Sequence, residues 1–224
     1  MIWLYAICDR PALPPPRRRG LAQAPLDGLS EGGVQAIFTR HGSAPCEPAP
    51  DALWAHERVV ERLMLDRAVV PMRFGSKVDD ELSLRTLLAE NQERFLQTLA
   101  RVAGRVELGV RVLQPVLVDA GNGKPSSVAT ATVVASGREY LLGKLQTANR
   151  IDHAAAELHA PLEAMSVETC RQPLRGDDEV LRSAYLVDQR IVGRFRGTVE
   201  RLQLTHPDVA ILCTGPWPAY SFVN

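Results

Sequence analysis

The pair His56-Glu57 is the first half of an H-E-x-x-H zinc motif, whose chemistry needs a second histidine four residues on so that both imidazoles face one metal. Position 60 is Val60, the second ligand is missing, and His56 reads as a core histidine on the inward face of a helix. His153 and Glu157, four apart, can share a helix face, but His159 sits about 240° round from His153. That trio reads as a solvated helix surface. There is no Gly-rich phosphate loop before a helix and no H-x-x-x-H pair. The carboxylates are interleaved with arginines, as in surface pairing. Cys8, Cys46, Cys170 and Cys213 are far apart with no C-x-x-C and read as buried reduced thiols. The expectation is a protein that is not an enzyme, with no catalytic residues, no cofactor and no metal.

The 26 basic and 26 acidic residues cancel, so no net field recruits nucleic acid or an anionic membrane. One local basic run, Arg17-Arg18-Arg19, lies in a proline-rich loop and is a possible partner contact, although a solvated loop is the simpler reading. Met1 to Cys8 is apolar but too short to span a bilayer and lacks a basic leader, so the expected location is cytoplasmic, without a membrane partner.

These residues must be positioned by two α+β lobes. Ile2 to Cys8, Val34 to Thr39 and Ala68 to Gly75 read as strands, the last carrying Pro71 and therefore confined to an edge, a bulge or a strand start. Helical periodicity runs from an N-cap at Asp51 to about Asp66, with Leu53, His56, Val60, Leu63 and Met64 inward. A long helix capped by Ser76 or Asp79 runs to about Val102, with Leu84, Leu88, Asn91, Phe95 and Leu99 as its stripe and Gly104 closing it. From Arg105 onward the order is β-α-β-β-α-β, the ferredoxin-like arrangement. Its members are Val106 to Leu113, a helix from Gly137 to about His159, Met165 to Gln172, Ser183 to Asp188, a helix from Arg190 to Leu204, and Val209 to Cys213. Residues 114–136 have no assigned structure, and Arg175 to Glu179 reads as a hydrophilic turn. The same order occurs in RNA-binding modules that stack bases on strand aromatics, but Val106 to Leu113 has none and the third strand offers only Tyr185.

One residue before Asn224 ends the stretch Thr214-Gly215-Pro216-Trp217-Pro218-Ala219-Tyr220-Ser221-Phe222-Val223, where two prolines exclude a helix or a central strand. Exposed rings on a fraying end gain nothing, so Trp217, Tyr220 and Phe222, with Pro216 and Pro218, are expected to pack between the lobes. The expected divisions are 1–104, an N-terminal α+β domain; 105–213, a ferredoxin-like domain; and 214–224, an ordered aromatic tail.

Seven passages, in order, resemble the gas vesicle GvpL/GvpF family: Leu4 to Ile7, His56 to Glu61, Val70 to Gly75, Glu107 to Val112, Gly137 to Leu141, Tyr185 to Asp188, and the terminal Thr214 to Val223. Ala219 stands where family members often carry a second proline, and the stretch between Gly20 and Asp51 matches poorly. The resemblance implies an N-terminal α+β lobe and a modified ferredoxin-like C-terminal lobe. It implies a non-enzymatic minor component or assembly factor of gas vesicles, which give some microbes buoyancy. Its implied partners are the hydrophobic shell protein, whose aggregation it would limit, and other accessory vesicle proteins. A ligand-sensing or enzymatic protein on a ferredoxin-like domain is the alternative.

Overall fold

The computed structural model describes residues 1–9, 19–42, 49–114, 155–176 and 178–223. Arg17, Arg18, Cys46, His153, residues 115–136 and the first part of the helix expected from Gly137 lie outside the described residues. Among the described residues the protein is mixed α/β, with two antiparallel sheets and five α-helices. No described helix is long and apolar enough to cross a membrane. The chain divides into two compact units, one of Met1–Leu108, Leu186–Arg190 and Gly215–Asn224, the other of Gly109–Tyr185 and Ile191–Thr214.

The first sheet holds β1 (Ile2–Cys8), β2 (Asp27–Glu31), β3 (Val34–Arg40), β4 (Val69–Pro71) and β5 (Lys77–Val78). Its order is β2-β3-β1-β4, with β5 also paired to β1. Every residue of β1 is buried, because both faces of the sheet are covered and the strand can therefore be apolar throughout. Side chains alternate along a strand, but the pairing of β1 with β3 shifts register between Leu4 and Ala6. The shift puts Tyr5 and Ala6 on one face. Ile2, Leu4 and Ile7 join Leu84, Leu88 and Leu99, whereas Trp3, Tyr5, Ala6 and Cys8 join Val59, Val60 and Leu63.

Those two faces are covered by α1 (Pro50–Leu63) on one side and by α2 (Glu81–Glu90) and α3 (Gln92–Val102) on the other. Helix α1 has Ala49 at its N-cap and Pro50 in its first turn, where a missing N–H costs nothing; the expected Asp51 cap is already helical. Leu53, expected inward, is 44% exposed, and Val59 takes a core place instead. The long helix expected from Ser76 or Asp79 is two helices meeting at Asn91, and its cap is Asp80, whose Oδ1 accepts from the Ser83 amide at 2.8 Å. Asn91 leaves helical geometry (φ −111°, ψ 13°) while its side-chain amide donates to the Leu87 carbonyl at 2.9 Å. β2 and β5 carry no strand signal in the sequence, β2 holding Asp27-Gly28 and β5 being only two residues long, and they pair because β3 and β1 present partners.

The second sheet holds β6 (Arg105–Leu113), β7 (Glu168–Arg171), β8 (Glu179–Asp188) and β9 (Ala210–Trp217), in the order β7-β8-β6-β9. Its helices are α4, described over residues 155–163, and α5 (Val192–Thr205). Expected boundaries move, and the first is the end of α4, which runs past His159 and Pro161 to residue 163. Glu179, placed in a turn by sequence, begins β8 with its side chain buried: Oε1 accepts from Arg111 Nε at 2.7 Å and Oε2 from the Arg175 amide at 2.6 Å. Burial pushes this carboxyl up, and those bonds outweigh it to hold it below the ordinary glutamate value. β9 continues to Trp217, past the end expected at Cys213, because a strand at a sheet edge tolerates proline. His159 departs from the solvated surface expected for it: it lies beside Leu158 and Leu162 in the core, and its Nδ1 is 2.7 Å from the Tyr185 hydroxyl. Tyr185 is wholly buried against His159 and Phe195, and burial pushes its phenol up to about 12. Of the thiols, Cys8 is buried and pushed up to about 12 by burial, while Cys170 and Cys213 are half-buried.

One buried hydroxyl ties the first sheet to the chain that precedes β2. Tyr5 Oη accepts from the Leu21 amide at 2.7 Å and lies 3.0 Å from Thr39 Oγ1; a Cβ on Gly20 would come within 2.3 Å of it. Tyr5→Phe strands the Leu21 N–H in the core, and we expect a loss of about 1–3 kcal/mol in denaturant unfolding, with the slope unchanged.

Candidate functional site

The residues that could do chemistry gather around the carboxyl-terminal segment, all within the first unit. The end of β9 turns at Gly215, whose φ of +105° and whose distance of 2.7 Å between an added Cβ and the Glu107 carbonyl admit only glycine. The Gly215–Pro216 peptide is cis. Pro216 is exposed, Trp217 half-buried, and Pro218 and Ala219 buried. Residues Tyr220–Phe222 then form a single 3₁₀ turn. Phe222 is 3% exposed, and Val223 packs on the cluster of Leu84, Leu88 and Leu99.

Four hydrogen bonds hold this turn. Tyr220 Oη donates to Glu57 Oε2 at 2.8 Å. The Ser221 amide and hydroxyl donate to the two oxygens of Glu107, each at 2.8 Å. Arg101, from the last turn of α3, donates to the Phe222 carbonyl. Burial pushes both carboxyls up; the bonds from Ser221 oppose this at Glu107, as the bond from Tyr220 does at Glu57, where Glu61 adds to the rise. Tyr220 is raised as well, by burial first and then by Glu57.

Beside the turn lies an open cleft of about 610 Å³, lined by Pro50, Leu53, Trp54, Phe74 and Tyr220 among others. His56 forms part of it. Its ring is 2% exposed, stacks on Tyr5 with centroids 5.0 Å apart, and meets the edge of Phe74 at 5.8 Å. Nε2 lies 2.8 Å from the Met72 carbonyl, to which it donates, so Nδ1 carries the lone pair of a neutral ring. Burial lowers the imidazole below its ordinary value despite that bond. His56 is thus the core histidine the sequence suggested. Among the described residues no group of three or more His, Cys, Asp or Glu is arranged to hold a metal.

A family model described as gas vesicle synthesis protein GvpL/GvpF matches residues 1–224. The chain belongs to the GvpL/GvpF family. Among its relatives, gas vesicle protein F2 of Halobacterium salinarum is 29% identical over 199 residues, covering 88% of this chain and 79% of that protein. Gas vesicle protein L of a Streptomyces species is 32% identical over 189 residues, covering 78% and 69%. The gas vesicle protein GvpF of Anabaena matches with a TM-score of 0.82 over 100% of this chain and 98% of that one, at 17% identity; that of Microcystis aeruginosa gives 0.80 at 16%. At such identities the structures speak for the fold. The family assignment rests on the sequence.

Against this GvpL/GvpF background, the expected tail residues Tyr220 and Phe222 fall in the anchored turn, and Trp217 closes β9. Arg19 is exposed, pairs in an isolated bridge with Pro25 and donates to the Gln23 carbonyl. Sequence reasoning missed the residues on the receiving side. Glu107, a charged residue within the strand expected over Val106 to Leu113, is 8% exposed beneath Ser221. Glu57 was set aside with the incomplete zinc motif. A carboxylate within an apolar strand was the available signal.

The raised carboxyls fix a sign. A glutamate whose folded value lies above its unfolded one contributes most below the ordinary value of 4.5 and loses that contribution as pH rises through the raised value. Glu107→Gln keeps an oxygen for the Ser221 amide and a donor for its hydroxyl. We therefore expect the melting temperature of the unsubstituted protein to fall relative to this variant as pH rises from about 5 to about 7.5. Tyr220→Phe, which leaves Glu57 without its hydroxyl donor, costs about 1 kcal/mol at neutral pH, Glu57 being only half-buried.

Proposed function

We propose that this protein is a non-catalytic assembly factor of gas vesicles. It binds the hydrophobic shell subunit and other accessory vesicle proteins as vesicles form, and it limits their aggregation. The observation that carries this reading is the family match over residues 1–224, with relatives named as gas vesicle proteins F and L. A subunit destined for a wall around gas exposes apolar surface before it is incorporated, and such surface aggregates unless something covers it. The first unit is equipped to cover it: Leu53 and Trp54 stand 44% and 60% exposed beside an open apolar cleft. The proposed architecture is two-lobed with a ferredoxin-like second lobe, supported by the element order β6-α4-β7-β8-α5-β9 and the strand order β7-β8-β6-β9.

Co-expression with the shell subunit tests the proposal. The expected result is that the two co-purify and that the soluble fraction of the shell subunit rises several-fold over expression alone. Failure of this protein to co-purify with any vesicle protein when the whole set is co-expressed overturns the reading.

A further inference from the structure

β9 is an edge strand, and among the described residues β6 is its one neighbour. The other sheet edges are blunted by charge, proline or shortness, as open edges ordinarily are. β2 carries Asp27 and Glu31, paired with Arg40 and Arg85. β4 and β5 are three and two residues long, and β4 ends in Pro71. β7 is four residues long and carries Glu168 and Arg171. From Ala210 to Thr214, by contrast, β9 holds no charge and no proline, and Leu212 is 47% exposed. Pro216, which has no N–H, closes only the far end.

The near end is closed by a side chain. Gln203, in the last turn of α5, donates from Nε2 to the Val209 carbonyl at 2.7 Å and accepts the Ile211 amide on Oε1 at 2.7 Å. Nε2 also reaches the His206 carbonyl at 3.4 Å, as a clamp on the connecting loop would. The two short bonds have a further consequence. A residue of a parallel neighbouring strand makes this same pair, giving its N–H to one carbonyl and its C=O to the amide two residues on. An Ile211 N–H directed at Gln203 is turned away from β6, so the side-chain amide lies on the open side of the strand. It stands there in the place of the first residue of a fifth strand.

We propose that Gln203 plugs the β9 edge and keeps a second copy of this chain from pairing with it. The occupant it excludes is set by what the edge offers. A row of backbone donors and acceptors is matched by another strand, and a strand without charge meets its own copy about a two-fold axis without repulsion. With the plug in place, the free edge runs only from the Ile211 carbonyl to Thr214. Without it the edge reaches back to Val209, about six residues, which is the length of an ordinary strand. Leu212 then supplies apolar contact across the pair.

The test compares the unsubstituted protein with Gln203→Met, which keeps the length of the side chain and suits a helix but has no amide. Sedimentation velocity over a range of concentrations is the readout. The unsubstituted protein should keep one sedimentation coefficient throughout, whereas Gln203→Met should self-associate at least about tenfold more tightly. Adding Leu212→Lys places a charge on the edge and should return that variant to the sedimentation of the unsubstituted protein. Amide hydrogen exchange gives a reading that needs no variant: the Ile211 amide of the unsubstituted protein should exchange slowly, and to the same degree at every concentration. A rapidly exchanging Ile211 amide overturns the inference. So does Gln203→Met sedimenting as the unsubstituted protein does, a fall in its melting temperature without association, or association that Leu212→Lys leaves unchanged. The co-purification test does not bear on Gln203, so the two proposals stand or fall separately.

Discussion

The first unit depends on a strand that has no solvent face. Each residue of β1 is buried, which requires a helix layer on both sides of the sheet and a backbone whose polar groups are all paired laterally. β3 lies along one side of β1, and β4 and β5 share the other, β4 against its second half and β5 against its start. The register shift between Leu4 and Ala6 then divides the strand's side chains between the two layers. Without that shift Ala6 would face α2 and α3, and Ile7 would face α1.

Polar groups enter this apolar frame only where something receives them. Tyr5 serves the Leu21 amide and Thr39, His56 serves the Met72 carbonyl, and Glu107 takes both donors of Ser221. Each joins segments distant in sequence. The terminal turn follows the same rule: its rings and Val223 supply burial, whereas its position is set by Glu57, Glu107 and Arg101. A buried carboxylate costs free energy that only donors offset, so its place is more restrictive than that of a leucine.

Much of this was legible in the chain because local rules are strong. Seven consecutive apolar residues from Ile2, the 3.6-residue stripe through Val60 and Leu63, the stop at Gly104 and the prolines of the tail each constrain backbone and burial without reference to anything distant. Errors arose where a residue's role is set by a partner far along the chain. His159 and Glu179 look solvated by composition and are buried because Tyr185 and Arg111 meet them. Leu53 looks inward by periodicity and is left on the rim of a cleft. Asn91 reads as one more position of the helical stripe, and the break there is made by its non-helical backbone and by its amide and side chain, which both donate to the Leu87 carbonyl.

The sequence by itself determined the class of fold, the order of the major elements and the family, since these follow from periodicity, turn chemistry and short ordered words that survive without coordinates. Only the tertiary structure decided where the terminal turn is anchored, which carboxylates hold it, and which part of α1 faces an open cleft. The physical reason is range. Helix and strand preferences act over a few residues, whereas the contacts of Ser221 with Glu107 and of Tyr220 with Glu57 span more than a hundred, and no pattern in either segment announces the other.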